Sequence, residues 1–316
     1  MLFSLFLLLI GLTILIFGAD FMVRGSASMA KKWGVSAIVI GLTVVAFGTS
    51  APELIVSLLS AKDGITNLAI ANVIGSNLAN ILLILGIGAM ITDLKVKKGT
   101  TFKEIPFALL GICLVAIMGN DALLNGQAQN VLTRSDGIAF LAFFIIFIYY
   151  TYGLSKASGE GDDVETFSWV KSIVYFFCGI AGLIIGGKLI VTNAVNLATL
   201  AGMSEALIGL TIVAIGTSLP ELATTIVAVR KGHTDLAIGN AIGSNIFNVF
   251  WILGLTATVT PLPFDTNANI DVLFTTIATL ILFCVMFLGK KHKLTRIEGV
   301  SFLVLYFGYM AFAILR

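Results

Sequence analysis

The sequence predicts an all-α integral membrane protein whose ten transmembrane helices form two inverted five-helix repeats. Three observations predict it. With 58% hydrophobic residues, 11% charged residues and a mean hydropathy of +1.04, the chain has too little polar surface to cover a water-soluble globule. Its apolar runs are long enough to cross a bilayer at about 20 residues each. Its two halves also align with one another at a constant offset, the signature of an internal duplication.

In chain order, the first span is Leu2 to Val23. A secretory signal is not expected there, because the run lacks a basic leading segment and a similar run, Trp169 to Val191, recurs in mid-chain. Spans follow at Val35 to Ala61, Asn67 to Thr92, Phe102 to Met118 and Gly137 to Leu154. These make a first repeat over residues 1–155. A polar, acidic stretch, Lys156 to Ser168, is a linker too short to hold a domain. The second repeat, residues 169–316, holds Trp169 to Val191, Met203 to Val229, Asp235 to Thr260, Ile270 to Leu288 and Gly299 to Leu315.

Glycines at 18, 34, 75 and 86 match glycines at 186, 202, 243 and 254, each 168 residues later. The last span of each half shares LTRSDGIAFLAFF, from Leu132, with LTRIEGVSFLVLY, from Leu294. Five is odd, so the second copy enters the membrane from the opposite side. Basic residues agree with this inversion. Loops on one side hold fifteen: Arg24, Lys31, Lys32, Lys95, Lys97, Lys98, Lys103, Lys156, Lys171, Arg230, Lys231, Lys290, Lys291, Lys293 and Arg296. The other side holds Lys62, Arg134, Lys188 and Arg316. The positive-inside rule then places the first set in the cytoplasm and both termini outside it, in a plasma membrane.

The net charge of +2 is small and scattered, which excludes nucleic acid as an expected partner. Cys113, Cys178 and Cys284 have no paired spacing and read as core thiols rather than a disulfide framework. His233 and His292 read as solvated loop residues. Asp20, one turn before Arg24 and aligned with Lys188, reads as interfacial, and Glu104, Asp136, Glu205 and Glu298 as solvated loop flanks.

The chemistry lies in two long matching segments, residues 41–86 and 209–254. GLTVVAFGTSAPEL, from Gly41, recurs as GLTIVAIGTSLPEL, from Gly209. Each sets a Pro-Glu pair inside an apolar run, where a carboxylate is costly and marks function by default. The second span, at about 27 residues and about 40 Å, is longer than a bilayer core demands, and a break is expected near Pro52. Pro52 and Pro220 have no N–H, so the carbonyls of Gly48 and Gly216 lose their helical partners. Freed carbonyls at membrane depth persist where they line a cavity or bind something.

Side chains add oxygen at helical spacing. Thr49 with Glu53, Ser76 with Asn80, Thr217 with Glu221 and Ser244 with Asn248 each lie four residues apart and share a helical face. Ser50 and Ser218 point elsewhere around the same turns, toward a neighbouring site. Carboxylates with hydroxyls, amides and carbonyls, and no thiolate or imidazole, suit Ca2+ or Na+ over Zn2+ or Cu2+. Asn80 and Asn248 carry a second reading as interhelical hydrogen-bonding groups. Gly41, Gly48, Gly75, Gly209, Gly216 and Gly243 read equally as close helix packing.

The paired GTS-x-PE motifs, each followed by GSN-x-x-N (GSNLAN from Gly75, GSNIFN from Gly243), resemble the two alpha-repeats of the cation/calcium antiporter superfamily, and prokaryotic sodium/calcium exchangers most. The resemblance covers essentially the whole chain. It implies exchange of Na+ for Ca2+ by alternating access. It also implies a Ca2+ site from Glu53, Glu221, Thr49 and Thr217, and Na+ sites from Ser50, Ser76, Ser218 and Ser244 with the carbonyls of Ala46 and Ala214. The Gly-rich first and sixth helices are implied to slide past a static core. Where several exchangers carry Asp, this chain has Asn248, which leaves Na+, K+ or H+ open as the driving ion.

The expected mechanism follows from charge. Two buried carboxylates bind either one Ca2+ or several Na+, and because either load neutralises the same charge, binding is mutually exclusive. Protons are expected to compete, so acid inhibits. Ca2+ and Na+ are then substrates, with no resident cofactor, no obligate protein partner and the lipid bilayer as surroundings. A proton- or K+-coupled antiporter keeps the same fold. An intramembrane acid-pair enzyme is disfavoured, since the motif lacks a Gly-Asp pattern and is surrounded by hydroxyls.

Overall fold

A computed structural model of the chain describes residues 2–126, 129–157, 165–202, 214–288 and 291–315. Long apolar runs become helices because lipid offers the backbone no hydrogen bonds, so each segment must satisfy its own N–H and C=O groups. The helices are α1 (Leu2–Trp33), α2 (Ala37–Thr49), α3 (Ala51–Lys62), α4 (Thr66–Ile91), α5 (Lys98–Met118), α6 (Arg134–Ser155) and α7 (Trp169–Leu200). After them come α8 (Ala214–Thr217), α9 (Leu219–Arg230), α10 (Thr234–Val259), α11 (Ala268–Val285) and α12 (Arg296–Leu315).

Among the described residues, eight helices are long and apolar enough to cross a membrane. The pair α2 and α3, bent by 45°, adds a ninth crossing if counted as one span. The protein is thus a multi-pass membrane protein. The remaining expected span, Met203 to Val229, is described from Ala214 onward as α8 and α9; its beginning, with Gly209 and the loop residue Glu205, lies outside the described residues. So does most of the linker, and Lys290.

Helices α1 and α7 run to 32 residues each, well past Val23 and Val191, where the apolar runs stop. The extension of α1 begins with a buried run, Gly25 to Ala30, in which every residue but Met29 is small and which packs closely. Ser28 Oγ lies 2.8 Å from Ser172 Oγ and accepts from the Phe167 backbone N–H. The two helices are antiparallel. Gly11 faces Gly186 and Leu189, Gly18 faces Gly179 and Gly182, and Gly25 faces Ser172 and Phe176. Glycine is required at these crossings because backbone meets backbone, as in small-residue membrane packing.

Helices α4 and α10 form the centre and are the most enclosed spans. Each carries a wider π-helical stretch, Ala79–Ile84 in α4 and Phe247–Leu253 in α10. Such bulges inside α-helices frequently mark functional sites. Gly243 lets α10 approach α2, where an added Cβ would sit 2.7 Å from the Leu42 backbone. Two short antiparallel ladders join the halves: Leu94–Lys95 with Lys293–Leu294, and Val131–Leu132 with Leu262–Pro263.

Several polar residues differ from expectation. Glu104 is buried, its Oε1 accepting from the Tyr150 hydroxyl, because the start of its helix turns the side chain inward toward α6. Asp136 and Glu298 cap α6 and α12, where they accept from the backbone N–H groups of Thr133 and Thr295, each at 2.8 Å. His292 packs against Phe102 and Phe287 and hydrogen-bonds Thr101. Cys178 and Cys284 are exposed rather than core residues. In a bilayer an apolar segment has a lipid-facing side, so apolar surroundings in sequence do not imply burial.

Candidate cation site

Two interrupted helices build the site. The chain leaves helical geometry at Ser50 (φ −82°, ψ 7°) and at Ser218 (φ −85°, ψ 3°), between α2 and α3 and between α8 and α9. Both breaks fall two residues before the expected prolines. Pro52 and Pro220 thereby occupy the first turn of the following helix, the one place where a missing N–H costs nothing. Glu53 and Glu221 fall in the same first turns, where the positive end of the helix dipole favours a carboxylate.

Both glutamates are fully buried. Glu53 Oε1 accepts from Ser76 Oγ at 3.3 Å, and Glu221 Oε1 accepts from Ser50 Oγ at 3.0 Å and Ser244 Oγ at 3.5 Å. Ser218 Oγ donates to Ser76 Oγ at 3.3 Å. The halves are therefore cross-linked: a serine of the first half serves the glutamate of the second. Ser50 and Ser218, turned away on a continuous helix, join the cluster because the helix stops at them.

Asn80 and Asn248 sit in the π-helical stretches. Asn80 Nδ2 donates to Asn245 Oδ1 and Asn248 Nδ2 to Asn77 Oδ1, both at 3.0 Å, so each amide does bond between helices. That anchoring leaves the other end free. Glu53 Oε2, Glu221 Oε2, Asn80 Oδ1 and Asn248 Oδ1 are all buried with no hydrogen-bond partner. Four orphaned acceptors from corresponding positions, with no donor supplied, are costly unless a cation meets them. Ser76, which bonds both Glu53 and Ser218, and Ser50, which bonds Glu221, place the two carboxylates in one buried polar cluster. Among the described residues no group of three or more His, Cys, Asp or Glu side chains gathers, so the anionic charge here is that of the two glutamates.

The threonines are held by residues that the motif spacing did not single out. Thr49 Oγ1 donates to Asn240 Oδ1 at 3.0 Å, and Thr217 Oγ1 to Asn72 Oδ1 at 3.3 Å. Asn72 Nδ2 reaches Glu53 O and Ser57 Oγ, and Asn240 Nδ2 reaches Glu221 O and Thr225 Oγ1. Their signal was present in the sequence: Asn72 and Asn240 lie one turn before Ser76 and Ser244 on the same stripes, 168 residues apart. The Ala46 carbonyl accepts from Ser50 N–H at 3.0 Å and Thr49 Oγ1 at 3.3 Å, and Ala214 opens α8. A cavity of about 430 Å³ adjoins the cluster between α3, α7, α8 and α9, lined by Pro52, Pro220 and Thr217 among others.

A family model described as "Sodium/calcium exchanger protein" matches residues 3–153 and again residues 171–315. The chain belongs to this exchanger family. Among its relatives, a putative antiporter CaxA of Alkalimonas amylolytica is 38% identical over 98% of both chains. The sodium/calcium exchanger MaX1 of Methanosarcina acetivorans is 31% identical over 96% of both. Solved structures of the sodium-calcium exchanger NCX_Mj superpose with a TM-score of 0.84 at 33% identity, covering 99% of each chain. Membership of this family makes the chain a cation/Ca2+ antiporter, a transporter rather than an enzyme.

In this exchanger the Asn240 and Asn72 clamps carry a direct expectation. Asn240→Leu leaves the Thr49 hydroxyl without its shortest partner, and the loss of a buried hydrogen-bond partner costs about 1–3 kcal/mol, so apparent Ca2+ affinity in uptake assays is expected to fall about tenfold. Asn72→Leu is expected to do the same through Thr217. Wild-type affinity in both variants would show that the threonines need no such support.

Proposed function

We propose that the chain exchanges Na+ for Ca2+ across the plasma membrane by alternating access, with the two ions competing for a midplane site between Glu53 and Glu221. The observation that carries this reading is the set of four orphaned oxygens, two of them carboxylate, contributed equally by positions 168 residues apart. Ca2+ is held by Glu53, Glu221, Thr49 and Thr217. Na+ is held by Ser50, Ser76, Ser218 and Ser244, with the carbonyls of Ala46 and Ala214 and the amide oxygens of Asn80 and Asn248 completing the shells.

The architecture in this proposal is ten spans in two inverted repeats, residues 1–155 and 169–316. Support comes from the twofold match of one family model along the chain and from the antiparallel packing of α1 on its own copy, α7. The reciprocal ladders support it too: Leu94 and Leu262 correspond at the offset of 168, and Leu132 and Leu294 at 162, and each ladder joins one strand of each half. With the richly basic face in the cytoplasm, both termini lie outside.

Exchange follows from charge neutralisation. The empty pair carries two negative charges at membrane depth, an unfavourable state to occlude. One Ca2+ or several Na+ remove that charge, and neither load leaves room for the other. Because the site switches sides only when neutralised, uptake of one ion requires release of the other. The test is Ca2+ uptake into proteoliposomes under separately imposed Na+, K+ and H+ gradients. A Na+ gradient is expected to drive it. Uptake driven by K+ or H+ alone would reassign the coupling ion, consistent with the missing third acid at Asn248.

A further inference from the structure

The ion pair that ties α1 to α9 has a counterpart with inverted charges that is unformed in this structure. Asp20 on α1 holds Lys231 Nζ at 2.5 Å through Oδ1 and Arg24 Nε at 3.0 Å through Oδ2. Lys231 caps the C-terminus of α9, and α1 packs along α9 there. At the offset of 168, Asp20 corresponds to Lys188 on α7, and Lys231 corresponds to Asp63, the cap of α3. The two caps share backbone geometry (Lys231 φ −85°, ψ 0°; Asp63 φ −81°, ψ 3°), and each precedes a left-handed glycine, Gly232 or Gly64. Both signs are exchanged, so attraction is kept: carboxylate to ammonium on one side, ammonium to carboxylate on the other. Reversal of one sign alone would have produced repulsion.

On the second side the pair is apart. The cavity of about 430 Å³ separates α7 from α3, lined by Leu183, Gly187 and Lys188 on one wall and Pro52, Ile55 and Val56 on the other. Lys188 and Asp63 are both exposed, and neither has an ion-pair or side-chain hydrogen-bond partner among the described residues. Thr192 stands where Arg24 stands in the first half, so Lys188 has no charged alternative one turn along its own helix.

We propose that Lys188 and Asp63 are access-determining residues that pair in the opposite access state, when Asp20 and Lys231 separate. The proposal rests on the exchanger reading. Because α1 and α7 are locked together through glycine contacts, they move as one unit, and a shift that draws α1 off α9 carries α7 toward α3. Each pair is partly solvated, so each biases the equilibrium without locking it, by about two- to fivefold in population.

The test measures access without transport. In a chain with Cys113, Cys178 and Cys284 replaced by serine, Val56→Cys places a thiol on the cavity wall, and its labelling rate by a membrane-impermeant reagent reports the open cavity. Asp20→Asn is expected to slow labelling by about two- to fivefold, because it removes the pair present in this structure. Adding Asp63→Asn or Lys188→Gln to Asp20→Asn is expected to restore the rate. Adding the charge exchange Lys188→Asp with Asp63→Lys is expected to keep it slow. Labelling that ignores Asp20→Asn, or that stays slow when Asp63 is neutralised, overturns the alternating pairs. The exchanger reading has its own readout in the Val56→Cys parent, where added Ca2+ or Na+ is expected to change the labelling rate. A rate indifferent to both ions would overturn that reading and leave the charge comparison intact.

Discussion

Glu221→Ala and Glu53→Ala are each expected to reduce Na+-driven Ca2+ uptake by about 100-fold or more, since breaking a buried charged set by removing one member costs about 3–5 kcal/mol. Each glutamate is fully buried and presents one unpartnered carboxylate oxygen, so in the proposed site a Ca2+ exchanges its water for those oxygens together with the Thr49 and Thr217 hydroxyls. With one carboxylate left, the bound ion keeps an uncompensated positive charge at membrane depth. Glu→Gln separates charge from shape. In Glu221→Gln the side chain would still accept from Ser50 and Ser244, yet its amide would present a donor where the cluster presents acceptors to a cation. That variant should therefore transport as poorly as the alanine one. In ion-free detergent the glutamine variants should melt no lower than the parent, because a neutral amide replaces a fully buried carboxyl group. Uptake at the parent's rate in Glu53→Gln or Glu221→Gln would end the paired-carboxylate site. A lower melting temperature would assign the loss to folding instead.

Much of this site was legible in the sequence because duplication makes costly residues conspicuous twice. A single Glu in an apolar run has several explanations, whereas Glu53 and Glu221 in matching frames demand one. The helix break was legible too, since proline cannot continue a helix, although its place was displaced to Ser50 and Ser218. That displacement explains what was not legible. Facing arguments from four-residue spacing assume an unbroken helix, so they sent Ser50 away from a cluster in which it donates to Glu221. The same arguments stopped at Ser76 and Asn80 and passed over Asn72, whose role appears only when Thr217 arrives from the other half. Glu104 was misplaced for a different reason. A residue next to a basic loop reads as solvated, and nothing local announces Tyr150, whose hydroxyl comes from a separate helix.

Gly179→Val is expected to abolish exchange while Gly187→Ala, two turns along the same helix, is not. At Gly179 an added Cβ would stand 2.5 Å from Met22 N and 2.7 Å from Met22 Cα, and at Gly18 it would stand 2.7 Å from Leu183 N. Ordinary carbon contacts need about 3.5–4.0 Å, and the obstructing atoms are backbone of the facing helix, which cannot rotate aside as a side chain can. The α1–α7 pair must therefore separate along its length, at a cost of about 3 kcal/mol or more, which is about 100-fold in the population able to cycle. Gly187 meets nothing within 4 Å and faces the cavity, so Ala there changes helix propensity and little else. The comparison distinguishes two uses of glycine on one helix. If Gly179→Val and Gly187→Ala impaired uptake equally, the glycines would matter for flexibility. If only the first does, as the backbone contacts require, they matter because α1 and α7, the helices that carry Asp20 and Lys188, must touch.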